Sequence, residues 1–168
     1  MYERILVPLD GSALAEGVLP HAMEVAKRFG SEVVLLQAVG TLAEVLGQMA
    51  AGDGTPVVGP GTAGVAPIVT EAMTQRALAQ HEGVVSSARS YLTDQSSELA
   101  KSGVRAQIEV LEGLPASVIM DYAQANGVGL SAMSTHGRGG LGRLVFGSVA
   151  DAIVRSSRIP LLLIRPGG

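Results

Sequence analysis

The stretch YERILVPLDGS at residues 2–12 places a short apolar run, ILV, directly before the turn-forming residues DGS. Such a run, stopped by a sharp turn, is typical of a buried strand. A second run, EVVLLQAV at residues 32–39, is rich in β-branched residues and lies between two glycines. Between the runs, apolar residues recur three or four apart over Ala13–Phe29, which predicts a helix that Pro20 kinks.

The rest of the chain continues this alternation of strands and helices. Helical spacing predicts helices over Glu71–Lys101 and Ala116–Ala125 and a last helix that starts at Gly147-Ser148, with Ser148 as its N-cap. Strands are predicted over Ala106–Leu111, with the alternation of an edge strand, and over Val128–Met133 and Pro160–Ile164. Five alternations predict a doubly wound α/β fold, in which helices cover both faces of a parallel sheet.

Residues 40–70 differ from their surroundings in composition. They are rich in glycine and proline, and no periodicity is visible over residues 52–67. We expect this segment to be a flexible insertion without regular structure. The length of 168 residues fits one domain, so we expect residues 1–168 to form a single domain around one core.

The composition excludes several classes of function. The net charge is −3, which argues against nucleic acid as a partner, because a nucleic-acid-binding protein relies on a basic surface. The chain has no cysteine, which excludes disulfides, zinc-thiolate sites and thiol nucleophiles. We find no apolar stretch long enough to span a membrane and no signal-peptide pattern, so we expect a cytoplasmic protein.

A second glycine-rich stretch, STHGRGGLG at residues 134–142, follows a predicted strand and leads to Gly147-Ser148 at a helix start. Glycines let backbone N–H groups approach an anion, and a helix N-terminus adds unpaired donors, so the stretch predicts a phosphate site. The alternative is that the glycines form only a flexible turn and that Ser148 only caps a helix. In a doubly wound sheet, this loop and residues 10–12 would lie where ligands bind, beyond the carboxyl ends of the strands.

Residues 137–142 also match the pattern G-x-G-x-x-G of dinucleotide-binding oxidoreductases. That pattern belongs in the first strand-to-helix turn and needs an acidic residue about 20 positions later, where this chain has Leu161-Leu162-Leu163. A P-loop is absent from the sequence. An oxidoreductase therefore remains a remote alternative.

The spacing from Ser134 through Gly137 to Gly147-Ser148 resembles G-x2-G-x9-G-[ST], the nucleotide-binding signature of the universal stress protein A family, with Ser134 replacing the first glycine. VPLDGS at residues 7–12, the Gly113-x-Pro115 turn and PLLLIR at residues 160–165 also resemble the family. The likeness spans almost the whole chain outside residues 40–70. It implies a Rossmann-like five-stranded sheet, a homodimer that pairs through the last strand and, in one branch, bound ATP, whereas another branch binds no nucleotide.

The resemblance also implies a set of binding residues. By position, it assigns Pro8, Leu9 and Asp10 to the adenosine end, Ala38 and Val39 to the adenine, Met133 and Ser134 to the sugar, and Gly137, Arg138, Gly147, Ser148 and Val149 to the phosphates, with His136 beside them. Alternatively, Asp10 forms only an Asx-turn, Arg138 is a solvated loop charge and His136 is a structural donor within its turn. His21 and His81, on predicted helices, are expected at the surface.

The resemblance favours a stress-response protein that binds ATP, or AMP or ADP, as a sensory or regulatory ligand with at most slow hydrolysis. Mg or Mn would arrive with the phosphates, because the sequence shows no clustered carboxylates to hold a metal. A nucleotide-independent dimeric interaction protein of the same fold is the main alternative. Ser134, His136 and Asp10 superficially suggest a hydrolytic triad, but no G-x-S-x-G elbow supports it.

Overall fold

The computed structural model describes residues 2–52, 69–135 and 147–165. The strands are β1 (Arg4–Pro8), β2 (Glu32–Val39), β3 (Ala106–Glu112), β4 (Leu130–Ser134) and β5 (Leu161–Ile164). The helices are α1 (Ala13–Glu16), α2 (Leu19–Phe29), α3 (Leu42–Gly52), α4 (Glu71–Lys101), α5 (Pro115–Ala125) and α6 (Ser148–Ser156). None of these helices carries an apolar stretch long enough to cross a bilayer.

The five strands form one parallel sheet in the order β3-β2-β1-β4-β5. The chain winds outward from β1 through β2 to β3, then returns to the other side of β1 for β4 and β5. The winding direction therefore reverses between β1 and β4, and ligand sites in such sheets lie beyond the strand ends at this point. The predicted doubly wound fold is confirmed, and β3 and β5 are its edge strands.

The buried strands pack on both faces of the sheet because successive side chains point to opposite sides. Ile5 and Val7 pack with α2 and α4, whereas Leu6, which lies between them, packs with α5 and α6. All three side chains are completely buried, and each contributes about 1.5–3 kcal/mol relative to an exposed position. The helices on both faces thus hold β1 at the centre of the molecule.

The predicted helix over Ala13–Phe29 is divided in two. Ser12 caps α1, its Oγ accepting from the Ala15 N–H at 3.1 Å, and the helix ends at Glu16. The second helix, α2, begins at Leu19 and has Pro20 in its first turn, where no intrahelical N–H bond is required. Pro20 therefore starts a new helix rather than kinking a continuous one.

Part of the segment that was expected to lack regular structure is helical. Residues 42–52 form α3, which packs against α4. Its start is a capping box: the Thr41 N–H donates to Glu44 Oε2 at 2.9 Å, and the Glu44 N–H donates to Thr41 Oγ1 at 3.2 Å. The prediction of a loop is wrong for these residues, and residues 53–68 lie outside the described part.

The boundaries of the last helix and strands differ slightly from the prediction. Gly147 occupies the N-cap of α6, and Ser148 is the first helical residue, so the predicted serine cap is one position too late. The fourth strand begins at Leu130 instead of Val128, and the fifth begins at Leu161, after Pro160. Shifts of one or two residues at element ends are expected, because end geometry depends on local hydrogen bonds.

Candidate functional site

The turn after β1 brings a carboxylate to the carboxyl edge of the sheet. The Leu9 N–H donates to the Leu36 carbonyl at 2.8 Å, which extends the contact with β2 by one residue. Asp10 is exposed, and its Oδ1 accepts from the Ser12 N–H at 2.9 Å, while Gly11 has a φ of 82° that suits glycine. The turn is therefore an Asx-turn, and the same geometry holds Asp10 at the carboxyl edge of the sheet.

The end of β4 lies beside this turn. Met133 is buried, and the Ser134 hydroxyl donates to the Ala15 carbonyl across a long distance of 3.5 Å. The buried Thr135 donates its N–H to the Ile164 carbonyl at 2.9 Å, which fixes the strand end against β5. Ser134 therefore connects β4 to α1 at the edge of the site.

Two helices begin at the same edge of the sheet. Before α5, the Gly113 N–H donates to the Val39 carbonyl at 2.9 Å. The φ of Gly113 is 131°, a value that residues with an L side chain rarely adopt. At the start of α6, the Asp151 N–H makes a backbone bond to the Gly147 carbonyl at 2.9 Å, and Gly147 supplies no side-chain cap. The N–H groups of Ser148 and Val149 therefore have no intrahelical acceptor and form the positive end of a helix dipole.

A cavity of ≈ 170 Å³ lies at this junction of β1, β2 and β4 with α1, α5 and α6. Its lining is mostly apolar, which suits a ligand with a flat or aliphatic part. The lining residues are Pro8, Leu9, Asp10, Ala15, Leu36, Ala38, Pro115, Ile119, Met133, Ser134, Val149 and Ala150.

The cavity brings together many of the residues that the sequence assigned to a binding site. These are Pro8, Leu9, Asp10, Ala38, Met133, Ser134 and Val149. Val39 is buried and does not line the cavity, whereas Gly147 and Ser148 lie immediately before Val149 at the start of α6. His136, Gly137 and Arg138 lie outside the described residues.

Five lining residues were not predicted. They are Ala15, Leu36, Pro115, Ile119 and Ala150. Strand periodicity could have found Leu36, because it lies two residues before Ala38 and therefore on the same face of β2. Helix periodicity could have found Ile119, because it lies four residues after Pro115 and on the same side of α5.

Tyr91, on α4, holds α1 in place. Because Ala15 lies on α1, the same contact positions one wall of the cavity. The Tyr91 hydroxyl donates to Glu16 Oε1 at 3.0 Å. Burial raises the pKa of Tyr91 above its usual value, and the hydrogen bond to Glu16 raises it further. Both causes favour the protonated phenol, which is the form that can donate to Glu16.

The two histidines on helices differ from each other in exposure. His21 is exposed as expected, but the side chain of His81 is only 11% exposed and its Nε2 lies 3.4 Å from Glu112 Oε2. The prediction of a surface position is therefore wrong for His81, because α4 packs this position against the end of β3. Within the three described stretches, no group of histidine and acidic side chains could hold a metal ion.

Comparisons with known proteins agree with this architecture. The sequence profile of the universal stress protein family matches residues 1–165. Universal stress protein MJ0531 of Methanocaldococcus jannaschii is 27% identical over 165 residues, covering 98% of this chain and 83% of that protein.

Solved structures share the fold at low sequence identity. The structure of MJ0577, a protein of the same organism, superimposes with a TM-score of 0.73 at 21% identity and covers 100% of this chain and 99% of that one. A universal stress protein from Archaeoglobus fulgidus in complex with dAMP superimposes with a TM-score of 0.57 at 19% identity, covering 97% and 98% of the two chains. These likenesses establish the Rossmann-like α/β fold.

Proposed function

Because the chain belongs to the universal stress protein family, we propose that it binds an adenine nucleotide, with ATP as the leading candidate and AMP or ADP as alternatives. The observation that carries this proposal is the cavity at the point where the winding of the sheet reverses. It combines an apolar lining with an exposed carboxylate at Asp10 and the N–H groups at the start of α6, which have no acceptor within the helix. An aromatic base, a sugar and a phosphate group require these three features.

The size of the cavity suggests how the ligand is divided. Small-molecule sites usually measure roughly 300–1,000 Å³, and this cavity of ≈ 170 Å³ is smaller. We therefore assign the base and part of the sugar to the cavity, with the base against Pro8 and Ala38. The phosphates would extend to Ser148 and Val149, where helix N–H groups can donate to them.

Other parts of the site are proposed from the family signature alone. Gly137 and Arg138 are proposed phosphate contacts, with His136 beside them, and Mg or Mn would come with the phosphates. The solved complex of the Archaeoglobus fulgidus universal stress protein with dAMP supports an adenine nucleotide as the ligand class. We propose that the nucleotide acts as a signal in a cytoplasmic stress response, with at most slow hydrolysis.

A homodimer through β5 is the proposed assembly. This strand is an edge of the sheet, and all four of its residues, Leu161–Ile164, are partly exposed. An apolar edge strand presents unpaired backbone groups that a second copy can pair with.

A nucleotide-independent interaction protein is the second candidate, and one observation favours it. Ser134 stands where the family signature has its first glycine, and its side chain occupies space at the cavity wall. If that side chain blocks the ligand, the dimer alone would carry the function.

Equilibrium titration of the full chain with ATP, AMP and NAD tests the proposal. We expect adenine mononucleotides to bind, ATP most tightly, and NAD to bind more weakly. The variant Ala38→Leu fills the cavity and should abolish binding, whereas Ala43→Leu, on the exposed side of α3, should bind like the parent. A parent protein that binds none of the three ligands would support the second candidate, and a preference for NAD would support an oxidoreductase.

A further inference from the structure

The described residues give the cavity few side chains that could recognise polar groups of a ligand. Among the described residues that line it, only Asp10 and Ser134 have polar side chains. The remaining lining side chains can pack against a ligand but cannot make a directional hydrogen bond. Within the described part of the chain, side-chain selectivity for hydroxyl or amino groups in the cavity therefore comes from Asp10 and Ser134.

Both side chains present acceptors. A carbonyl oxygen can only accept, so the contact between Ser134 Oγ and the Ala15 carbonyl at 3.5 Å directs the serine proton toward α1. The lone pairs of Ser134 Oγ then remain for other partners. Asp10 is exposed, and an ionised carboxylate is an acceptor only.

A ligand that hydrogen-bonds to both Asp10 and Ser134 Oγ needs two donor groups close to each other. The 2′- and 3′-hydroxyl groups of a ribose are two donors on adjacent carbons, and a deoxyribose has one fewer. The contact with Ala15 places Ser134 on the α1 side of the cavity, where Asp10 also lies at the end of β1. The apolar residues Leu36 and Ile119 belong instead to the cluster that packs with α5 and α6.

We propose that Ser134 is a specificity-determining residue whose hydroxyl accepts a hydrogen bond from one ribose hydroxyl, so that the site prefers ribonucleotides to deoxyribonucleotides. This inference rests on the proposed nucleotide function and specifies which sugar the nucleotide should carry. The serine in place of a signature glycine is then a gain of sugar selectivity rather than an obstruction. A ribose hydroxyl approaches a lone pair of Ser134 Oγ, so the 3.5 Å contact with the Ala15 carbonyl can persist when the ligand binds.

The test compares ATP, 2′-deoxy-ATP and 3′-deoxy-ATP by isothermal titration of the full chain and of Ser134→Ala. The parent should bind ATP about 3- to 10-fold more tightly than at least one deoxy analogue, which is the range for one neutral hydrogen bond. Ser134→Ala should lower the affinity for ATP by the same factor and leave the affinity for that analogue unchanged. Ser134→Gly, which also enlarges the cavity, should lose the same preference.

Ser131→Ala is the matched control, because Ser131 lies on the same strand, is buried, and does not line the cavity. It should keep the ribose preference of the parent. Equal affinity of the parent for all three ligands would overturn the role of Ser134 and leave the nucleotide function standing. A parallel loss for all three ligands in Ser134→Ala would show that the hydroxyl only shapes the site, and this too would overturn the inference. Failure of the parent to bind ATP would overturn both proposals.

Discussion

Replacing Asp10 separates its role in the turn from its proposed role in ligand binding. In the structure, Asp10 Oδ1 accepts from the Ser12 N–H at 2.9 Å in an exposed turn. Water can replace an exposed acceptor, so Asp10→Ala should lower the free energy of unfolding by less than about 1 kcal/mol. Asp10→Asn keeps an oxygen that can accept from Ser12 and should be closer to the parent in stability.

The effect on ligand binding should be larger. A hydrogen bond from a sugar hydroxyl or a base amine to a carboxylate contributes about 1.5–3 kcal/mol, so Asp10→Ala should weaken ATP binding by roughly 10- to 150-fold. Asp10→Asn removes the charge but keeps one acceptor, and its loss should be intermediate. Isothermal titration gives the affinities, and urea denaturation gives the stabilities.

Ser12→Ala is the matched control for the turn. It removes the cap of α1, in which Ser12 Oγ accepts from the Ala15 N–H at 3.1 Å, and should cost about 0.5–2 kcal/mol of stability. Ser12 does not line the cavity, so the affinity of the folded variant for ATP should remain near that of the parent. If Asp10→Ala binds ATP as well as the parent does, Asp10 serves only the turn and the proposed pocket is misplaced.

Four further predictions concern stability and assembly. Thr41→Ala removes half of the capping box of α3 and should lower the free energy of unfolding by about 1 kcal/mol in urea, with ATP affinity unchanged. Ser131→Ala removes a buried hydroxyl for which the described residues provide no hydrogen-bond partner, and it should raise the free energy of unfolding by about 1 kcal/mol; a loss would contradict the burial argument. Because the pKa of Tyr91 is raised in the folded state, the free energy of unfolding should fall as the pH rises above ~10. In Tyr91→Phe this fall should be smaller. It should not vanish, because Tyr122, whose pKa is also raised, still contributes to it. Sedimentation at micromolar concentration should find a dimer, and a monomer would refute pairing through β5.

The strands and their order of appearance could be predicted from the sequence because their signals are local. The runs at residues 5–7 and 33–36 are apolar and short, and turn residues follow soon after each strand, which favours strands at both places. The doubly wound topology then follows from the alternation of elements and the hand of the crossovers. The same rule places Asp10 and Ser134 at one edge of the sheet, where both line the cavity.

The average composition of residues 40–70 does not predict the helix α3. Glycine and proline dominate residues 52–67, whereas Thr41 and Glu44 form a local helix-start signal before them. The four residues of this capping box have little weight in the average composition of residues 40–70. The short-range signal was present in the sequence and decided the structure.

The complete cavity could not be predicted, since its walls come from elements far apart in the chain. Pro115 and Ala150 reach it only because α5 and α6 cover the same face of the sheet. The burial of His81 has the same origin, because its neighbour Glu112 is 31 residues away at the end of β3. Strand and helix periodicity shows which side of an element is apolar, but it does not show which element covers that side.

A crystal structure of the chain grown with ATP tests the central claim most directly. We predict density for the base beside Pro8 and Ala38, for the sugar beside Asp10 and Ser134, and for the phosphates at the start of α6. Density for the nucleotide at another place, such as the open groove lined by Gln37, Gln80 and Tyr91 beside α4, would contradict the account. An empty cavity at an ATP concentration that saturates binding in solution would contradict it equally.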